Sequence, residues 1–211
     1  MKTLIFDFDG VLMDSREAYV SSFAKVLTRN GFDVDEKKAS AALLPSAPKT
    51  IEALVGRPDN FDELVAETRK HVAEKESGKI KICEGAGETI GALSKRFDLF
   101  LITNSSKAVF DKVIKKIPEA KMLAGIITSS DGFASKEDAI NHVLKERGER
   151  PSGVYYVGDT MMDIETAKKV GCKSAIVYWK HSWDYGKLGE IKKMKPAAIV
   201  GSLEELENVL E

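Results

Sequence analysis

Four short apolar runs, each broken off by polar or turn-forming residues, constrain this chain more than anything else in it. Residues 4–8 are interrupted by Asp7 and stop at Asp9-Gly10, residues 99–102 stop at Thr103-Asn104, and residues 154–157 stop at Gly158-Asp159; residues 175–178 form the fourth run. Runs so short and bounded by such residues read as strands. Residues 125–128 and 198–200 are fainter versions of the same pattern. Helical patterns lie between them: 88–96 with Ile90 and Leu93 on one face, 107–117 with Val109, Val113, Ile114 and Ile117, 136–147 with Ile140, Val143 and Leu144 before Gly148, 164–170 before Gly171, and 203–210. Nearly continuous apolar strands alternating with amphipathic helices imply parallel strands covered on both faces, an open α/β sheet. Ligands of such sheets bind beyond the carboxyl ends of the strands. The polar residues that end these runs are therefore the first candidates for function.

The alternation breaks once. Residues 14–79 show helical periodicity and no strand pattern. Asp14 with Glu17 opens a helix carrying Tyr19, Val20, Phe23, Val26 and Leu27, and Asn60 with Glu63 starts another before Leu64, Val65 and Val72. Pro45, Pro48 and Pro58 punctuate shorter helices between them. The expected organisation is a core of residues 1–13 and 82–211, with an all-helical insertion at 14–81 after the first strand.

Charge balance narrows the function classes. The 32 basic and 33 acidic residues give a net charge of -1, without the basic excess of a nucleic-acid binder. Cys83 and Cys172 are too few for a disulfide framework and read as small buried apolar residues in a reducing compartment. Asp7 cuts short any apolar signal region, and no apolar stretch approaches the length that spans a bilayer. A cytoplasmic protein without nucleic-acid or membrane partners is expected.

The strand ends hold the chemistry. Asp7 and Asp9 are two apart, on one side of the chain if extended geometry persists. Thr103 ends the next run, Lys136 opens a helix, and Asp159 and Asp163 follow the third. Four carboxylates gathered at one rim repel one another unless a cation joins them. Oxygen donors without histidine or thiolate favour a hard ion, and Mg2+, which retains water and prefers phosphate, suits best. The lysine and threonine then suit phosphoryl oxygens, and a carboxylate facing phosphorus can be a nucleophile.

The segment Asp7-Phe8-Asp9-Gly10-Val11-Leu12-Met13-Asp14-Ser15 strongly resembles the first motif of the haloacid dehalogenase-like superfamily. Leu101-Ile102-Thr103-Asn104 resembles its second, Lys136 its third, and Gly158-Asp159-Thr160 through Asp163 its fourth, in the family's order along essentially the whole chain. The insertion is similar to the mobile cap of the phosphoglycolate phosphatase-like branch. The resemblance implies a Rossmann-like core and a magnesium-dependent phosphatase acting on a small phosphorylated metabolite such as phosphoglycolate, a sugar phosphate or a nucleotide. It implies Asp7 as nucleophile and metal ligand, and Asp9 as general acid and base with its backbone carbonyl on the metal. It implies that Thr103 and the Asn104 backbone hold phosphate, that Lys136 steadies Asp7 and a phosphoryl oxygen, and that Asp159 and Asp163 serve the metal. An acid at position 9 disfavours a dehalogenase, whose leaving halide needs no proton. Glu137 departs from the proline that often follows the third-motif lysine, leaving Lys107 as a second candidate.

Two other functions share these residues. A phosphomutase returns the phosphoryl group to a sugar, and a receiver-like phospho-accepting domain would need neither the insertion nor Asp163. Within the insertion, Lys49 in Leu44-Pro45-Ser46-Ala47-Pro48-Lys49, Arg16 and Arg57 are candidates to touch a substrate's second anionic group. Tyr19, Phe23 and Leu27 read as core of the insertion, and Trp179, His181 and Trp183 as a loop packed on the sheet rim.

Overall fold

The computed structural model describes residues 1–210. Six parallel strands make the main sheet: β1 (Lys2–Phe6), β4 (Phe97–Ile102), β5 (Gly125–Ile127), β6 (Tyr155–Gly158), β7 (Lys173–Val177) and β8 (Ala198–Val200), in the spatial order β5-β4-β1-β6-β7-β8. The remaining two, β2 (Met13–Asp14) and β3 (Lys81–Ile82), pair antiparallel with each other.

Residues of the central strands alternate between two packed faces, which is why the runs are apolar throughout. Leu4, Phe6, Leu99, Leu101, Tyr155 and Val157 join one core cluster, while Ile5, Phe100, Ile102 and Tyr156 join the other. The second cluster is closed by Ile140, Val143 and Leu144 of α7 (Lys136–Arg147) and Ala167 of α8 (Met161–Val170). On the first face, α5 (Ala86–Leu93) contributes Ile90 and Leu93, and α6 (Lys107–Val113) contributes Val109 and Phe110. Each of the Val, Leu, Ile and Phe side chains among these contributes about 1.5–3 kcal/mol on burial. Cys83 and Cys172 are free and buried, as small apolar filling.

The chain runs β1, β4, β5 toward one edge and then returns to place β6 on the other side of β1. The strand order reverses between β1 and β6, and a crevice opens at such a switch point. The C-terminal ends of β4, β1 and β6 are neighbours there, which brings the three strand-end motifs side by side.

Between β2 and β3 lie α1 (Arg16–Arg29), α2 (Glu36–Ala41), α3 (Ala47–Val55), α4 (Phe61–His71) and a wide helical turn (Val72–Glu76). Tyr19, Phe23, Leu27, Ile51, Leu64 and Val72 pack together among them. Two short elements differ from the sequence reading. The pair β2–β3 occupies the ends of the insertion, too short to show a pattern, and α9 (Leu188–Lys193) buries only Ile191 and so lacks a period.

Candidate active site

Asp7 leaves β1 almost fully buried, 4% exposed. Its Oδ1 accepts from the Phe8 amide at 2.7 Å, and its Oδ2 lies 2.7 Å from Lys136 Nζ. Lys136 is the first residue of α7, whose N-cap Ser135 accepts the Asp138 amide. Its ammonium is held by Asp7, by Tyr156 Oη at 2.8 Å and by Asp163 Oδ1 at 3.3 Å. Lys107, the other candidate, pairs with Asp111 one turn along its own exposed helix face. Glu137 pairs with Lys169 and leaves the Lys136 position undisturbed.

Asp9 sits half-buried after β1 with both oxygens occupied. Oδ1 accepts from Ser15 Oγ at 2.6 Å, and Oδ2 accepts from Ser105 Oγ at 2.7 Å and Thr103 Oγ1 at 3.3 Å. Thr103 Oγ1 also accepts the Ser105 amide, which tightens the turn after β4. Asn104 turns its side chain away from Asp9 and donates Nδ2 to the Pro45 carbonyl of the insertion at 2.5 Å.

Asp159 and Asp163 complete the group. Asp159 is 1% exposed, and its Oδ2 accepts the Trp183 amide at 2.6 Å. Asp163 forms a reciprocal capping box with Thr160 at the start of α8. Its Oδ2 accepts from Thr160 Oγ1 and the amides of Asp159 and Thr160, while Oδ1 accepts from Tyr156 Oη and Lys136. Helix cap and site residue are therefore the same carboxylate. Gly10 lets the loop come this close: its φ is +77°, and a Cβ there would stand 2.1 Å from Asp159 Oδ2.

One oxygen from each of Asp7, Asp159 and Asp163 falls within 4.8 Å of the others. Their electrostatics are those of crowded buried acids. Burial pushes Asp7 up from 3.8 to about 7, Lys136 pulls against it, and Asp163 adds to the rise. Burial, then Asp163 and Asp7, hold Asp159 well above the carboxylate range. Burial also raises Asp9, opposed by its hydroxyl donors. Burial works against the charge on Lys136, but Asp7 and Asp163 outweigh it and hold the ammonium firmly protonated. An all-oxygen acid cluster in which Asp7 and Asp159 both resist ionising fits a hard divalent cation.

A narrow cleft lies above these residues. The core lines it with Asp7, Asp9, Asn104, Ser105, Lys136, Asp159 and Trp183; the insertion adds Tyr19, Phe23, Leu44, Pro45, Ser46, Ala47 and Arg69. Thus the structure brings together Asp7, Asp9, Thr103, Asn104, Lys136, Asp159 and Asp163. Arg16 and Arg57 do not line the cleft, while Lys49 lines an adjoining pocket that shares Ser46, Asn104 and Lys136 with it. Arg16 turns to Ser40 Oγ at 2.8 Å, Lys49 is exposed beside Met162, and Arg57 pairs with Glu52. Trp179 Nε1 donates to the Gly10 carbonyl and His181 meets Asp14, so their loop does pack on the rim.

Sequence reasoning missed five residues here. Tyr19 belongs to the core of the insertion as expected, yet its hydroxyl also meets Ser105 Oγ at 2.6 Å. Tyr156 is a phenol inside a buried strand, which needs a polar partner and so carried a signal. Arg69 is a cation on a largely apolar helix face. Ser105 had no signal beyond nearness to a motif, and Trp183 was read only as packing on the rim.

The chain matches the haloacid dehalogenase-like hydrolase family over residues 4–177. It is 27% identical over 207 residues to a phosphoglycolate phosphatase of Aquifex aeolicus, covering 95% of each chain. It is 24% identical to a pyrophosphatase of Halalkalibacterium halodurans, covering 100% of this chain and 97% of that one. In fold it is similar to a haloacid dehalogenase-like family hydrolase from Streptococcus pneumoniae, with a TM-score of 0.85 at 19% identity over 100% of this chain and 99% of the other. The chain belongs to the haloacid dehalogenase-like hydrolase family.

Proposed function

We propose that the chain hydrolyses a small phosphomonoester, with Mg2+ as cofactor and Asp7 as nucleophile. The observation that carries this is the rim itself. Two carboxylates leave one strand, the first paired with a buried lysine and within 4.8 Å of two further acids, the second held by three hydroxyls in the same cleft.

Asp7 attacks phosphorus as the ester oxygen leaves, forming an aspartyl-phosphate. Asp9, whose burial favours the protonated form, gives its proton to the departing oxygen. It then takes one from the water that cleaves the aspartyl-phosphate. Lys136 and the turn at Thr103-Asn104 receive the phosphoryl oxygens. Asp7, the Asp9 carbonyl and Asp159 would hold Mg2+; Asp163, its oxygens filled by protein donors, orients Lys136 and the Gly158–Thr160 turn. When bound, the ion supplies the positive charge that lets an anionic carboxylate meet an anionic phosphate.

Residues 14–81 act as a cap over the residues 1–13 and 82–211. The Asn104–Pro45 and Tyr19–Ser105 hydrogen bonds tie cap to core across the cleft, and closing it excludes bulk water from the phosphoryl transfer. The candidate substrates are phosphoglycolate, sugar phosphates and nucleotides. Release of inorganic phosphate separates hydrolysis from a mutase reaction. The test is turnover of p-nitrophenyl phosphate with and without Mg2+ by the wild type and Asp7→Asn. Wild-type turnover that requires Mg2+ and vanishes in the variant is expected, and equal rates in the two proteins would overturn the assignment.

A further inference from the structure

The insertion has four arginines, and three of them have partners: Arg16 on Ser40, Arg29 on Glu67 and Arg57 on Glu52. Arg69, half-buried on α4 and lining the active-site cleft, has none among the described residues. Its Nε is buried without an acceptor, and no carboxylate pairs with its guanidinium. A guanidinium whose Nε is buried without an acceptor beside a cleft is costly unless something arrives to fill it. The cleft offers a second such donor. Trp183 Nε1 is also buried without a partner, its ring set against Tyr19 at 5.4 Å and its backbone amide fixed on Asp159. Of the six partnerless buried polar side-chain atoms among the described residues, these two are the nitrogens, and both belong to cleft-lining residues.

Lys136 cannot serve the rest of the substrate, because Asp7, Asp163 and Tyr156 already surround its ammonium. The cap wall otherwise supplies Phe23, Leu44, Pro45 and Ala47, which offer no charge. We propose that Arg69 is the residue that selects substrate, receiving a second anionic group carried on the leaving-group side of a small phosphomonoester. This rests on the hydrolase reading above and names the class of substrate for the same cleft. A carboxylate or a second phosphoryl group presents the planar or trigonal oxygens that a guanidinium fork binds, so the shared chemistry is a compact anion on a short linker.

The experiment compares wild type, Arg69→Ala and Arg69→Lys on three probes: 2-phosphoglycolate, pyrophosphate and the uncharged-tail ester ethyl phosphate. Arg69→Ala should raise KM about tenfold or more for at least one anionic probe, with kcat within about threefold. Its kcat/KM on ethyl phosphate should stay within about threefold, and Arg69→Lys should recover part of the loss. The anionic probe most affected identifies carboxylate or phosphoryl as the group received. Because Arg69 makes no partnered contact, Tm should not fall in either variant. Equal losses on all three probes, no loss on either anionic probe, or a lowered Tm accompanying a uniform loss would overturn the proposal. If wild type turns over no ester, the hydrolase reading fails, and Arg69 is judged by calorimetry instead. Binding of 2-phosphoglycolate and pyrophosphate to Asp7→Asn protein would be about tenfold weaker for at least one of them when Arg69→Ala is added; equal binding of both overturns it.

Discussion

Replacing Lys136 with methionine tests the electrostatics of the rim without relying on turnover. The substitution keeps the length of the side chain and removes the charge that Asp7 and Asp163 share at 2.7 and 3.3 Å. Breaking a buried pair from one side costs about 3–5 kcal/mol, and here that cost must depend on pH. In the wild type, Asp7 titrates near 7 when folded against 3.8 as a free side chain. A carboxyl raised in this way stabilises the fold fully below 3.8 and loses that contribution as pH rises through about 7, because the folded state binds the proton that the unfolded state has released. The whole loss is about 4 kcal/mol, at roughly 1.4 kcal/mol per pH unit. Without Lys136 the folded Asp7 titrates higher still, so the variant continues to lose about 1.4 kcal/mol per pH unit above 7, where the wild type has levelled off. Asp159, raised in the same direction by burial and by its acidic neighbours, adds to the fall in both proteins. Thermal melts in EDTA at pH 6, 7 and 8 read the difference. For a domain of this size 1 kcal/mol moves Tm by about 2–4 °C, so the gap between the proteins should widen by several degrees from pH 7 to 8. A gap of the same width at pH 6 and pH 8 would mean that Lys136 does not neutralise Asp7.

Mg2+ should raise the wild-type Tm more at pH 8 than at pH 6, since it offsets charge that exists only once Asp7 and Asp159 ionise; an equal rise at both values, by melts with and without EDTA, counts against the acid cluster as its site. Asp9→Asn should slow an alkyl phosphate by roughly two to four powers of ten but p-nitrophenyl phosphate far less, since that leaving group needs little help from an acid. Equal losses on the two esters would remove Asp9 from the proton transfer. Gly10→Ala should cost about 1–2 kcal/mol for its positive φ alone, and the displacement of Asp159 should weaken Mg2+ binding as well. Unchanged Mg2+ affinity by calorimetry would contradict the close approach seen here.

The core was legible because its sheet is buried on both faces. That turns strands into short apolar runs and makes every charge at their ends conspicuous, which is why Asp7, Asp9, Thr103 and Asp159 could be picked out before any fold was known. Asp163 was harder to read because a helix cap and a site acid call for the same residue, and the capping box shows that it fills both positions. The start of α8 at Met161 lay three residues ahead of the predicted one for the same reason: a cap and two half-buried methionines carry no apolar period. Short elements escaped through lack of sequence. Two-residue β2 and β3 cannot display alternation, and α9 anchors itself through Ile191 alone.

The cap was less legible for a more instructive reason. Arg16, Lys49 and Arg57 were picked as cap cations within reach of a second anionic group, Lys49 also for a loop that resembled a substrate contact; Arg16 and Arg57 turn to partners within the cap, and Lys49 lies exposed beside Met162 at a pocket next to the cleft. Arg69 carried the better signal. On α4, Val65 is buried, as is Val72 just beyond its end, and Arg69 follows Val65 by four residues and precedes Val72 by three, so it shares their face. A charge on the buried stripe of a helix has to be paired, exposed by a bend or reserved for a ligand, and no acid of the cap comes to pair it. Proximity to a motif is a weak guide where helices, not strand ends, carry the residues; a cation out of place in an apolar stripe is a stronger one. By that criterion the residue that reads the substrate lies on the inner face of the insertion, opposite the acids that act on its phosphorus.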